Sequence, residues 1–140
     1  MAIRTTALEV RNFDAPDEVR PFEARGELRL LTVAGQEIGL GIFEPGWSWS
    51  EHVKPIAGTG SCTFPHFLYV VSGRMRVTMD DGAEVELRPG DVATIPPGHD
   101  ATVVGDERCV TVDLGEDDAG YAAPQGNTRP ADSAPSRMNG

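Results

Sequence analysis

Five side chains in the middle of this 140-residue chain could do chemistry together: His52, Lys54, Cys62, His66 and His99. They comprise all three histidines, the single lysine and one of the two cysteines. One histidine alone is more often structural than functional. Three that can converge inside one domain change the balance, because imidazole is the commonest metal ligand and a general base near neutral pH. His52 and Lys54 are two residues apart, so an extended strand would present both on one face and Val53 on the other. Cys62 stands four residues before His66, a spacing known in metal sites, although a buried thiol commonly acts as a small apolar side chain.

A site built on His52 and His66, with His99 and Cys62 as further candidate ligands, would suit zinc, copper or ferrous iron better than magnesium or calcium. Lys54 has three readings. As an ammonium it could hold a substrate carboxylate or enolate oxygen. With its pKa depressed by burial it could act as a catalytic base or form a Schiff base. Facing outward it would be an ordinary solvated lysine.

The elements that must position these groups are short and β-rich. The length suits one domain, and 16 glycines with 11 prolines imply frequent turns. A net charge of −10 leaves no basic stripe for nucleic acid and none for an anionic membrane surface. No apolar run is long enough to span a bilayer, and residues 1–10 lack a signal-peptide pattern. Two cysteines make no disulfide framework, so a cytoplasmic protein is expected.

Residues 1–26 read as a charged N-terminal arm with room for one short edge strand. Residues 27–114 read as the folded domain, and residues 115–140, rich in Gly, Pro, Ala, Asp and Ser, as a disordered tail. Glu27–Val33 and Glu37–Phe43 flank the turn Ala34-Gly35-Gln36. In Arg74–Met79 and Ala83–Leu87 the apolar residues alternate strictly. Pairing Met79 with Ala83 puts both apolar sets on one face and leaves Asp80-Asp81-Gly82 as a loop with glycine last, as such loops require. About nine strands with no long helical pattern predict an all-β sandwich or barrel. Met75, Val77, Met79, Val85, Leu87, Val92, Ile95, Val110 and Val112 are its expected packed residues.

The spacings resemble the two motifs of the cupin superfamily. Gly46 stands six residues before His52, Lys54 falls where a second histidine is expected, and His66 falls where a glutamate is expected, seven residues before Gly73. Gly90, Pro96 and Gly98 match the second motif, with Ala101 at the usual histidine position and His99 two residues early. Trp47-x-Trp49-x-x-His52-Val53-Lys54-Pro55 followed by Cys62-x-x-x-His66 is similar to a cupin subgroup sometimes linked to adenylate cyclases. The resemblance implies a single-domain cupin-type antiparallel β-barrel, a homodimer, and a divalent transition metal (Zn, Fe, Cu, Mn or Ni). It also implies a small-molecule substrate for an isomerase, cyclase, decarboxylase or oxygenase type of reaction. The alternative is a non-catalytic binding or sensor cupin acting with a signalling partner.

Overall fold

The computed structural model describes residues 5–114; the expected disordered tail lies outside them. Nine strands and two single-turn helices follow one another as β1 (Glu18–Pro21), β2 (Gly26–Val33), β3 (Gln36–Phe43), α1 (Trp49–His52), α2 (Lys54–Ala57), β4 (His66–Ser72), β5 (Arg74–Met79), β6 (Glu84–Leu87), β7 (Val92–Ile95), β8 (His99–Val104) and β9 (Cys109–Asp113). They form an antiparallel six-stranded sheet, β1-β2-β3-β9-β4-β7, and a three-stranded sheet, β6-β5-β8. Leu28 and Leu30, Phe43, Leu68 and Val70 of the first sheet share one core with Met75, Val77, Leu87 and Val103 of the second. The all-β architecture expected from the strand pattern is therefore the one observed. Among the described residues no helix is long and apolar enough to cross a membrane.

The β5–β6 hairpin has the expected register: Val77 faces Val85, Thr78 faces Glu84, and the Met79 N–H donates to the Ala83 carbonyl at 2.7 Å. Gly82 closes the loop at φ +96, a conformation that glycine adopts without steric penalty. The β2–β3 turn is tighter than expected. Val33 pairs with Gln36, leaving Ala34 and Gly35 as a two-residue turn with φ 51 and 77. Positive φ at both central residues is what the right-handed twist of a hairpin demands.

The packed set needs correction at four valines. Met75, Val77, Leu87 and Ile95 are buried and Met79 packs against them, but Val85 is 53% exposed and Val92 64% exposed. Val85 lies on β6, an edge strand of the three-stranded sheet, whereas Val92 pairs with Tyr69 and points to the outer side of the six-stranded sheet. Val110 and Val112 are half-buried and alternate with Cys109, Thr111 and Asp113, which are the residues turned inward. Strand β9 lies in the middle of its sheet, so its outer face is shielded by neighbouring strands enough to carry valine. Alternation alone cannot tell which of its two faces is the inner one.

Two substitutions check the backbone argument. Ala34→Asn should stabilise the fold by about 1 kcal/mol, since asparagine tolerates the left-handed region better than alanine; a lower denaturant midpoint would contradict the turn. Gly73→Ala should cost more than about 2 kcal/mol. Its φ is +73, and an added Cβ would lie 2.3 Å from the Arg108 carbonyl oxygen.

Candidate metal centre

His66 opens β4 on the inward face that continues through Leu68 and Val70, and His99 opens β8 on the face shared by Ala101 and Val103. Cys62 precedes β4 in a loop tied to β8 by its main chain. Its N–H donates to the His99 carbonyl at 2.8 Å, and its carbonyl accepts from the Gly98 N–H at 2.7 Å. Two rings and one thiol are thereby brought together. The Cys62 Sγ lies 3.8 Å from His66 Nε2, the two imidazole centroids are 5.2 Å apart, and one donor atom from each residue lies within 4.8 Å of the others.

The hydrogen bonds define which nitrogens are available. His99 Nδ1 donates to the Pro96 carbonyl at 2.8 Å; a carbonyl can only accept, so the proton of a neutral ring is on Nδ1 and the lone pair on Nε2. His66 Nδ1 donates to Asp113 Oδ2 at 2.6 Å, which likewise directs its Nε2 towards Cys62. A carboxylate or carbonyl behind each ligating imidazole is the usual outer shell of a metal site. The donors around a tetrahedral zinc are separated by roughly 3.5 Å, given Zn–N and Zn–S bonds of about 2.0–2.3 Å. The three groups therefore fit an ion with small side-chain movements, and a thiolate with two imidazoles matches zinc, ferrous iron or copper in softness.

Electrostatics favour the charge state such a site needs. Burial alone would raise the Cys62 thiol, but hydrogen bonds and charge from His66 and His99 bring it down to about 6. Burial would lower His66, but the hydrogen bond to Asp113, reinforced by Cys62, holds it well above its ordinary range. Without a cation the proton belongs on His66 and the negative charge on Cys62. Cys109 is the internal contrast: burial, helped by the nearby Glu107 charge, pushes its thiol up to about 12.

His52 and Lys54 do not join this group. The expected extended strand is replaced by α1 and α2. Ser48 caps α1, its hydroxyl accepting from the Glu51 N–H at 3.3 Å, while Pro55 sits in the first turn of α2 and Gly58 ends it at φ 78. These are recognisable start and stop signals, and they remove the period-two argument that placed both side chains on one face. His52 is buried, but its Nδ1 accepts from the Ser48 N–H at 3.1 Å, which ties it to the start of its own helix. Lys54 is exposed.

A cavity of about 30 Å³ adjoins the two histidines. Asp113, Thr111, Gly41 and Leu68 of the six-stranded sheet line it together with Met75 and Val77 of the three-stranded sheet, and Trp47 and Trp49 also contribute. Both tryptophans therefore belong to the cavity as well as to the core. The Trp47 indole N–H is buried without a hydrogen-bond partner among the described residues. Asp113 is the functional residue that sequence reasoning missed. Its signal was the parity of Cys109, Thr111 and Asp113, hidden by the apolar residues alternating with them.

Comparisons with known proteins bear on the fold. The EutQ-like cupin domain matches residues 52–111. A sugar phosphate isomerase of the cupin superfamily from Silicibacter pomeroyi is 21% identical, with a TM-score of 0.53 over 75% of this chain and 73% of that one. The polyketide cyclase RemF from Streptomyces resistomycificus is 17% identical, with a TM-score of 0.54 over 76% and 78%. KdgF from Halomonas sp. is 18% identical, with a TM-score of 0.54 over 81% of this chain and 99% of that one. At these identities the likeness establishes the fold. No curated protein sequence matches. The chain is thus similar to the EutQ-like cupin domain over residues 52–111 and has a cupin-type fold.

In metal-free protein the ultraviolet absorbance of a thiolate should be present at neutral pH and disappear as the pH falls through about 6. A group whose folded pKa is depressed loses its charge on that side. The signal should vanish in Cys62→Ser and persist in Cys109→Ala; the reverse pattern would refute the assignment.

Proposed function

We propose that this protein is a metal-dependent enzyme of the small cupin type, acting on a small organic molecule at a centre formed by Cys62, His66 and His99. The observation that carries the reading is the convergence of these three donors within 4.8 Å beside a cavity. Three protein ligands leave room for a fourth from water or substrate, the usual arrangement of a catalytic rather than a structural zinc site. A bound ion would supply Lewis acidity towards an oxygen or nitrogen of the ligand. Asp113 would hold the His66 ring in its ligating tautomer, and the Pro96 carbonyl would do the same for His99. The apolar walls would exclude water from the reacting atom. Both cysteines are free thiols, which fits a reducing cytoplasm.

A specific observation also favours the sensor reading. The titratable groups lining the cavity, His66, His99 and Asp113, are all committed to the centre or its support, so no separate acid or base stands over a substrate. Turnover that depends on the loaded metal would decide for the enzyme, and ligand binding without turnover for the sensor.

A second copy of the chain is the proposed partner. Phe67, Tyr69, Val71 and Val92 lie 42–64% exposed on the outer side of the six-stranded sheet. Residues 115–140 contain no Val, Leu, Ile or Phe, and Tyr121 and Met138 are their large apolar side chains. Sedimentation should show a dimer that Tyr69→Glu converts to monomer; a wild-type monomer at micromolar concentration would refute it.

Metal analysis tests the main reading. Protein offered stoichiometric zinc should retain about one ion per chain. Cys62→Ser, His66→Ala and His99→Ala should each lose it, while His52→Ala and Lys54→Met keep it. Asp113→Asn should weaken zinc affinity about 10- to 100-fold, the range typical of such supporting groups. Failure of wild type to bind, or full binding by His99→Ala, would overturn the centre.

A further inference from the structure

We infer that the ligand of this cavity is a short molecule with one polar donor group and an uncharged, apolar remainder, not a phosphorylated or polyhydroxylated sugar. The inference deepens the metal-centre reading and rests on it for the place of the donor group. Its basis is the distribution of polarity in the cavity. The polar side chains of the lining are few: His66, His99 and Asp113, which stand close together, and Thr111, two residues along β9 from Asp113. The rest of the lining is aliphatic, aromatic or sulfur-bearing, including Leu68, Met75, Val77 and both tryptophans.

No lysine or arginine lines the cavity, and the chain's one lysine is exposed on α2. An anionic group placed away from the histidines would be buried without a counter-charge, at a cost of several kcal/mol. A row of hydroxyls would find few partners, since away from the histidines and Asp113 the lining side chains offer only the Thr111 hydroxyl and the Trp47 indole N–H. One donor atom next to Cys62, His66 and His99 has no such difficulty. Size points the same way. A space of about 30 Å³ accepts roughly two water-sized groups, so a short chain enters more readily than a sugar phosphate.

Trp47 and Trp49 are the only tryptophans in the chain and both line the cavity, so their fluorescence reports occupancy whether or not a metal is present. Three probes sharing a hydroxamate head separate the alternatives: one with a propyl tail, one whose tail ends in a hydroxyl, and one whose tail ends in a carboxylate. With zinc-loaded protein the propyl probe should bind at least about tenfold more tightly than the carboxylate probe. Shortening its tail should weaken binding by about fourfold per methylene, the value of one buried CH₂. Ala101→Leu, which fills space at a half-buried position of the lining, should weaken the propyl probe by at least about tenfold.

Equal or stronger binding of the carboxylate or hydroxyl probe would overturn the inference, as would an unchanged propyl affinity in Ala101→Leu or no fluorescence response to any probe. The same titration after chelator treatment separates this inference from the metal reading. If the apolar preference persists there and metal analysis finds no ion, the ligand class stands and the metal centre falls. A stoichiometric ion with a preference for the carboxylate probe means the reverse: the metal centre stands and the ligand class falls.

Discussion

A carboxylate placed in an apolar interior is costly unless a hydrogen-bond donor of opposite charge meets it there, and this interior is organised around one such meeting. Asp113 and His66 have side chains only 10% and 8% exposed and are joined at 2.6 Å. They come from β9 and β4, adjacent strands in the middle of the six-stranded sheet. Removing either partner would leave the other buried without its counter-charge, a loss of about 3–5 kcal/mol in comparable pairs. The bond therefore constrains both the inward face of β9 and the orientation of the His66 ring. The direction in which His66 Nε2 points is inherited from that constraint.

The remaining two groups are placed by main chain rather than by side-chain contact. Cys62 and His99 form an isolated antiparallel bridge, so thiol and imidazole sit on directly opposed backbone positions. The loop that carries Cys62 lies between α2 and β4 and meets the start of β8 through this bridge.

Within the cupin pattern the substitutions become intelligible as one shift. His66 occupies the usual glutamate position, and Ala101 the usual histidine position of the second motif. His99 lies on the same strand face as Ala101, so a histidine two residues earlier still points inward. The polar end of the cavity gathers around Cys62, His66 and His99, and the wall at Ala101 stays apolar. The fold held in common with enzymes of quite different chemistry fixes none of this.

Local signals in the sequence determined a good deal. Strict alternation set the β5–β6 register, because two strands that share a buried face cannot slip by one residue without exposing it. Glycine spacing located the turns, since several require a positive φ. The histidine and cysteine spacings brought His66, His99 and Cys62 forward as candidates. What they could not decide was which side of β9 is inside, since valine alternates there with Cys109, Thr111 and Asp113 and both faces are compatible with a central strand. Nor could strand parity apply to His52 and Lys54, where a serine cap, a proline and a left-handed glycine wind the chain into two helical turns. Those outcomes depend on what packs against each segment from elsewhere in the chain. Only the tertiary structure, by pairing β9 with β4 and Cys62 with His99, brought together residues 47 and 37 positions apart in the sequence.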